Sequence, residues 1–449
     1  MINRIRKYFT EGNERSTRAK KNILLSFFIR GGSIGISLVL VPLTLHAISS
    51  VEYGVWLTIS SFIGWFSFFD IGLGNGLRNK FTEAMAKNDR ETARQYVSTT
   101  YALLTVIVLV MTALFFTANS FIRWTSVFNA DESLASQLNI LLPAVFLLFA
   151  LQFVIQLIST ILTADQRPAV SNFLGLLGSI ITLGGIYLVK VYSVPSLLNV
   201  GLIFTAAPVL VLVAAHLYFY STRYSALTPS LRHVRLAFAK DLGNLGGQFF
   251  IIQIAVLILF STSNMIIAQY LGPQEVTAYN IALKYFGVLN SVFVLIANPF
   301  WSAITDAYHR NDTEWIRRSI RKLIGVWMLL TVSALVLLAA ADTMYRLWIG
   351  DAVTIPFTVS LTMTVFVILS NWNSIFAAFL NGTGKIRLQL YSAVVVSVIN
   401  IPLSIYLTQI YGLPGVIIGT VCCIAVGSVW APIQYHKLIN NTAAGLWAK

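Results

Sequence analysis

Three ionisable side chains lie inside apolar stretches of the chain, where charged groups are rare. Arg30 and Lys284 are the cations, and Asp70 is the acid. Placing such a group near the centre of a membrane helix costs at least about 2.5 kcal/mol, and it normally faces a cavity or a partner. Arginine donates paired hydrogen bonds to phosphate oxygens, and lysine supplies a mobile point charge. The two cations therefore indicate a binding path for an anion such as a diphosphate.

Each of these groups also has a structural interpretation. Arg30 lies about eight residues into the first apolar run, close enough to extend its guanidinium to the cytoplasmic headgroups. Lys284 can extend outward in the same way. Asp70 either binds a coupling proton or sodium ion or forms a buried ion pair with one of the two cations. The sequence leaves these alternatives open.

Amide side chains add polar groups to the same apolar stretches. Gln152 and Gln156 are four residues apart and fall on one helix face, and Asn280 precedes Lys284 by one turn. We expect these three amides to line a polar, substrate-binding cavity together with Arg30 and Lys284. Hydrogen bonds between helices explain them equally well.

The composition excludes a water-soluble enzyme. The 449 residues are 57% hydrophobic and only 11% charged, whereas a soluble protein has about 25% charged residues. The net charge of +14 fits the cytoplasmic ends of membrane helices better than a nucleic-acid surface. Five scattered histidines and two adjacent cysteines give no catalytic cluster, metal site or cofactor site.

The apolar runs predict twelve membrane-spanning helices, each of about 20 residues or more. They lie near residues 22–47, 54–77, 95–119, 138–162, 169–190, 196–220, 243–269, 277–304, 319–341, 357–381, 389–409 and 412–434. With the ends of the neighbouring runs counted in, the termini and even-numbered loops hold 26 of the lysines and arginines, and the other loops hold 3. This bias places both termini in the cytoplasm.

The second half of the chain repeats the first at an offset of 223 residues. Residues 87–94 and 310–317 share four of eight residues, and Pro195 and Pro414 match at an offset of 219. Because each copy has six spans, the repeats are parallel. We predict an all-α membrane protein with twelve transmembrane helices in two parallel six-helix repeats around a central cavity. The predicted parts are a basic N-terminus (1–21), an N-terminal lobe (22–220), a cytoplasmic linker (221–242), a C-terminal lobe (243–434) and a cytoplasmic tail (435–449).

Two matched external corners are candidates for a gate. Glu52 and Trp56 in the first repeat correspond to Glu275 and Tyr279 in the second. Their aromatic rings are equally suited to anchor the chain at the membrane interface.

The corner Glu52-Tyr53-Gly54-Val55-Trp56 and the segment from Phe69 to Lys80, with the twelve spans in two halves, resemble a known family. They are similar to the bacterial polysaccharide-biosynthesis flippases, the Wzx-type O-antigen translocases. These proteins belong to the multidrug/oligosaccharidyl-lipid/polysaccharide exporter superfamily. The resemblance extends over essentially the whole chain.

The resemblance implies a secondary transporter in the bacterial inner membrane. Such proteins move undecaprenyl-diphosphate-linked oligosaccharide units to the periplasmic leaflet for O-antigen, capsule or exopolysaccharide synthesis, and a proton or sodium gradient is the expected driving force. A polysaccharide polymerase and a chain-length regulator are possible partners. A cation-coupled multidrug exporter of the same superfamily is the first alternative. A membrane glycan polymerase or ligase is the second, although the chain lacks the large external loop that such an enzyme needs.

Overall fold

The protein is helical throughout the part of the chain that the structure describes. The structure, a computed structural model, describes residues 14–70, 72–239 and 262–448, and these ranges contain no β-strand. Ten helices in these ranges are long and apolar enough to cross a membrane. The chain is a multi-pass membrane protein, as predicted.

The helices follow one another with short connections. The first are α1 (Glu14–Leu45), α2 (Ser50–Trp65), α3 (Leu73–Ala86), α4 (Arg90–Asn119), α5 (Trp124–Phe128), α6 (Ala135–Ile155), α7 (Leu157–Ala164), α8 (Pro168–Tyr192) and α9 (Leu197–Ser221). Helical residues 262–270 then precede α10 (Pro273–His309), α11 (Thr313–Ala339), α12 (Ala341–Ile349), α13 (Phe357–Thr383), α14 (Arg387–Tyr411) and α15 (Leu413–Ile439).

The residues fall into two compact units by their contacts. Unit 1 comprises Met1–Ile48, Phe66–Val127 and Asp131–Phe250, and unit 2 comprises Ser49–Trp65, Phe128–Ala130 and Ile251–Lys449. In unit 1, α8 packs against α1 and α9. In unit 2, α10 packs against α2 and α13, and α15 packs against α13 and α14. Helix α2 thus makes its principal contacts with α10.

The predicted lobe boundaries stay a prediction, because grouping by contacts does not locate the edges of a sequence repeat. Residues 1–13 of the predicted N-terminus and most of the predicted seventh span, 243–269, lie outside the described residues.

The predicted second span, residues 54–77, is not one continuous helix. Helix α2 ends at Trp65, a short 3₁₀ turn covers Phe66–Asp70, and α3 begins at Leu73. Gly72 has a φ of 78°, a left-handed conformation that glycine adopts without a steric penalty from a Cβ. An apolar run shows no sign of such a local break, so the sequence did not predict this interruption.

The predicted fourth span, residues 138–162, is also interrupted. Helices α6 and α7 meet at Gln156, where the backbone tightens and the Ser159 N–H donates to the Gln156 carbonyl at 2.9 Å. Pro143 lies inside α6, and the helix continues through it. The break therefore occurs at a glutamine rather than at the proline that the sequence marks.

The duplicated loop adopts the same backbone conformation in both copies. Asn88 and Asn311 have φ values of 56° and 58°. Asp89 accepts a hydrogen bond from the Thr92 N–H, and Asp312 accepts one from the Trp315 N–H, each at 3.0 Å. The hydrogen bonds from Thr92 hold the pKa of Asp89 below its usual range. Both aspartates are thus N-caps of equivalent helices, α4 and α11, as the sequence offset of 223 requires.

The paired N-caps predict that thermal stability depends on the hydrogen bonds accepted by Asp89 and Asp312 rather than on the charges of these two side chains. Replacing both aspartates with alanine (Asp89→Ala with Asp312→Ala) should lower the Tm of the purified protein by roughly 2–4 °C. The matched double asparagine variant retains a side-chain oxygen acceptor and should stay within about 1 °C of wild type. Thermal unfolding in detergent measures both. An equal loss in the two variants would contradict the capping role.

Candidate functional site

Asp70 lies on the wall of a polar cavity inside unit 1. The cavity has a volume of about 300 Å³. Gln152 and Gln156 line it with Asp70, so the structure brings together three of the predicted site residues. Its other polar side chains are the hydroxyls of Ser159, Thr160 and Ser171.

Both helix breaks of unit 1 contribute to this cavity. Asp70 ends the 3₁₀ turn before α3, and Gln156 separates α6 from α7. The Gly74 N–H donates to the Asp70 carboxylate, at 3.0 Å from Oδ1 and 3.1 Å from Oδ2. A Cβ on Gly74 would lie 3.0 Å from Asp70 Oδ2, so the absence of a side chain at Gly74 leaves room for the carboxylate.

An ion pair between Asp70 and Arg30 was one of the alternatives that the sequence left open. Both residues lie in unit 1, yet no ion pair within the described residues joins them, and the Arg30 side chain is exposed.

The chemistry of this cavity suits a small cation. One carboxylate, two amides and three hydroxyls offer oxygen atoms, and interrupted membrane helices expose backbone groups that bind ions in transporters. A volume of about 300 Å³ is at the low end of ligand pockets, which are commonly about 300–1,000 Å³. In the described residues, no group of three or more His, Cys, Asp or Glu side chains is placed to hold a metal ion.

A second polar cluster lies in unit 2, where α2 and α10 meet. The Asn280 side-chain amide donates to Asn264 Oδ1 at 2.8 Å and to the Val276 carbonyl at 2.8 Å. The Asn264 amide in turn donates to Ser61 Oγ at 2.7 Å. Asn280 and Asn264 are both buried, so these hydrogen bonds replace the ones that water would make to the amides. For Asn280 the structure shows the interhelical role that the sequence left open.

Lys284 follows this cluster by one turn of α10. Its side chain is half-buried, and Nζ donates to the Tyr53 hydroxyl of α2 at 3.4 Å. Within the residues that the structure describes, no ion pair involves Lys284. A cation held by a neutral hydroxyl retains donors for an anionic ligand.

The two predicted gate corners contact each other within unit 2. Thr277 Oγ1 donates to the Ser50 carbonyl at 2.6 Å. A Cβ on Gly54 would overlap the Pro273 carbonyl, so the helices approach closely there. Trp56 and Tyr279 are only 6% and 8% exposed, which favours packing over an exposed interfacial position.

The two corner carboxylates occupy the starts of their helices. Glu52 accepts hydrogen bonds from the Ser49 N–H and hydroxyl, each at 2.9 Å, and its own N–H donates to Ser49 Oγ at 3.2 Å. This reciprocal arrangement is a capping box for α2. Glu275 lies in the first turn of α10, where a negative charge is favourable.

Comparisons with known proteins agree with this architecture. Residues 249–406 match the MatE family. A Yersinia pseudotuberculosis protein named as a candidate O-antigen export protein is 22% identical over 93% of this chain and 94% of its own length. A Salmonella typhi protein named as a candidate O-antigen transporter is 19% identical over 89% and 92%. A multidrug resistance MATE transporter in an inward-facing conformation superposes with a TM-score of 0.75 at 15% identity, covering 94% of this chain and 100% of that chain.

The chain is similar to transporters of the multidrug/oligosaccharidyl-lipid/polysaccharide exporter superfamily. The likeness to the MATE structures accounts for the helical structure of the described residues and confirms the predicted fold of twelve spans in two six-helix repeats. The relatives and solved structures that it resembles are named as transporters or export proteins.

Sequence reasoning missed several polar contacts of this protein. Tyr53 was noted only as part of a corner motif, and Ser61 was not noted at all. Their roles depend on α2 lying against α10, and neither residue type signals that contact in the sequence. Ser159 on α7 and Ser171 on α8 supply cavity hydroxyls, but both helices are apolar and nothing in the sequence sets these two serines apart.

The close approach of α2 and α10 predicts a position-specific effect of added methyl groups. Gly54→Ala should lower the Tm by several degrees, because a Cβ cannot fit against the Pro273 carbonyl. Gly64→Ala is the matched control, since a Cβ there meets nothing within 4 Å and alanine favours the helix. Thermal unfolding in detergent checks both variants. Equal Tm values would show that the two helices do not need this contact.

Proposed function

We propose that this transporter flips undecaprenyl-diphosphate-linked oligosaccharide units from the cytoplasmic to the periplasmic leaflet of the bacterial inner membrane. The observation that carries the proposal is the match with O-antigen export and transport proteins over about nine-tenths of both chains. The product would supply O-antigen, capsule or exopolysaccharide synthesis. Both termini lie in the cytoplasm in this proposal, and a polymerase and a chain-length regulator act on the flipped unit.

The cationic side chains support an anionic cargo. Arg30 is exposed on α1, and Lys284 is held only by a neutral hydroxyl among the described residues. We assign each cation a contact with the diphosphate group of the cargo, and we assign the buried Asn280 amide to positioning the part of α10 that carries Lys284. Gln152 and Gln156 belong to the Asp70 cavity and are assigned with it to the coupling ion.

The gate assignment rests on the packed corners of α2 and α10. Transport by alternating access requires contacts at one end of the bundle to open and close. We assign this role to Trp56 and Tyr279, with Glu52 and Glu275 fixing the helix starts. Their packing within unit 2 supports a closed contact of defined geometry.

The cargo assignment is tested by comparing two phenotypes of a strain that lacks this gene. We expect lipid-linked oligosaccharide to accumulate in the cytoplasmic leaflet while drug susceptibility is unchanged. The alternative is a multidrug exporter, which the structural likeness to multidrug transporters also fits. Increased drug susceptibility with normal lipid-linked sugar would favour that alternative.

Removing either cation should impair transport without impairing folding. Arg30→Ala and Lys284→Ala are each expected to reduce surface polysaccharide about tenfold, the effect of losing one charge-assisted hydrogen bond to phosphate. Lys190→Ala is the control, because Lys190 is an exposed cation at the end of α8. Polysaccharide and membrane abundance are measured in parallel. Wild-type polysaccharide in both variants would remove these residues from the site.

Asp70 is tested by separating its charge from its hydrogen bond to Gly74. Asp70→Asn retains an oxygen acceptor for the Gly74 N–H but loses the carboxylate. We expect normal abundance and a flipping rate that no longer rises with an imposed proton or sodium gradient in proteoliposomes. If Asp70→Asn keeps the gradient dependence and only Asp70→Ala is impaired, Asp70 acts as a helix cap and not as the ion site.

A further inference from the structure

A second cavity, this one in unit 2, lies at the basic end of α11. It has a volume of about 460 Å³ and is bounded by α11, α13 and α15. Arg317 and Arg321 line one side, and Ile324, Trp372 and Phe376 line another. This cavity shares no lining residue with the Asp70 cavity or with the cluster around Lys284.

The polar side of this cavity is cationic. Arg317 and Arg321 are one turn apart on α11, and both are exposed. Arg317 Nη2 donates to Asn440 Oδ1 at 2.7 Å, which orients the guanidinium at the end of α15. The described residues that line the cavity include no aspartate or glutamate. The site is therefore suited to an anion with an apolar part.

The equivalent place in unit 1 is filled by the chain itself. The offset of 223 pairs Arg94 with Arg317. Arg94 Nε donates to the Thr228 carbonyl at 3.1 Å, and Phe238 stacks on Tyr96 with ring centroids 4.3 Å apart. The segment after α9 thus covers the cytoplasmic end of α4 in unit 1.

The corresponding segment after α15 in unit 2 takes another path. Trp447 lies against Lys437, with Nζ 4.6 Å from the ring centroid, and the Trp447 carbonyl accepts a hydrogen bond from Gln434 Nε2 at 3.2 Å. Arg321 replaces Ser98, whose hydroxyl accepts the Ser230 N–H of the covering segment in unit 1. At this place unit 2 therefore has a cavity, and it has an arginine where α4 of unit 1 has Ser98.

We propose that this cavity binds an anionic glycerophospholipid of the leaflet at the basic ends of the spans. Its phosphate contacts Arg317 and Arg321, and the start of an acyl chain lies against Ile324, Trp372 and Phe376. Basic pockets between helices at this level of a membrane recognise anionic headgroups, and arginine gives paired hydrogen bonds to phosphate. The apolar wall favours a lipid over free phosphate.

The test measures phosphatidylglycerol binding to the full-length protein in detergent, by native mass spectrometry. Phosphatidylcholine with the same acyl chains is the lipid control. The double variant Arg317→Gln with Arg321→Gln should bind phosphatidylglycerol roughly 10- to 30-fold more weakly, because each basic group contributes about fivefold. The matched variant Arg318→Gln with Lys322→Gln removes two exposed charges of α11 that do not line the cavity, and it should bind within about twofold of wild type.

A third variant keeps both charges and fills the cavity. Ile324→Trp should weaken phosphatidylglycerol binding while leaving the arginines in place, which guards against a folding defect in the charge variant. Equal weakening in the two charge variants, or equal binding of phosphatidylcholine, would overturn the proposal. Displacement of phosphatidylglycerol by inorganic pyrophosphate would identify a free-phosphate site, and displacement by undecaprenyl diphosphate would identify a cargo site. Each of these two outcomes would contradict the proposed glycerophospholipid site. None of these outcomes depends on which cargo the transporter moves.

Discussion

The low polarity of the membrane interior is the constraint on which the polar architecture depends. A backbone or side-chain group that finds no partner there costs several kcal/mol, so irregular backbone occurs only where protein or a polar cavity surrounds it. Both helix breaks of unit 1 obey this constraint, because both contribute to the Asp70 cavity. The Gly74 N–H, which lies in the first turn of α3, is satisfied by the carboxylate itself. The cavity and the interruptions thus require each other.

In unit 2, the same constraint organises one face of a continuous helix. Thr277, Asn280 and Lys284 are spaced three and four residues apart on α10 and therefore share a face. All three have hydrogen-bond partners within unit 2, and Thr277 and Lys284 find theirs on α2. The absence of a side chain at Gly54 allows the close approach on which these bonds depend. The position of the Lys284 ammonium is therefore coupled to the packing of α2 against the start of α10.

The spans and repeats were predictable because they depend on properties that a linear chain carries. The length of each apolar run, the distribution of lysines and arginines between loops and the duplicated loop can all be read without knowledge of how the helices pack. The helix breaks were not predictable, since Gln156 has no unusual helix propensity and Gly72 is one of several glycines in its segment. The cavity was predicted only in part: Asp70 and the two glutamines were named, but their convergence joins residues more than 80 positions apart. Tyr53 became a site residue only through the α2–α10 contact.

The two halves have retained one fold while acquiring different polar groups. Unit 1 presents an acid between interrupted helices, whereas in unit 2 the helix α13 runs unbroken and the main intramembrane charge is a lysine. Asp70 is held by a bond within unit 1 and Lys284 by a bond within unit 2. If ion binding at one group raises cargo affinity at the other, linkage requires both to favour the same conformation of the protein, and if it lowers that affinity the two favour different conformations. An ion gradient can then act on the cargo only through the equilibrium between conformations. To reverse that equilibrium, the free energy by which the ion prefers one conformation must exceed the free-energy difference between the two conformations.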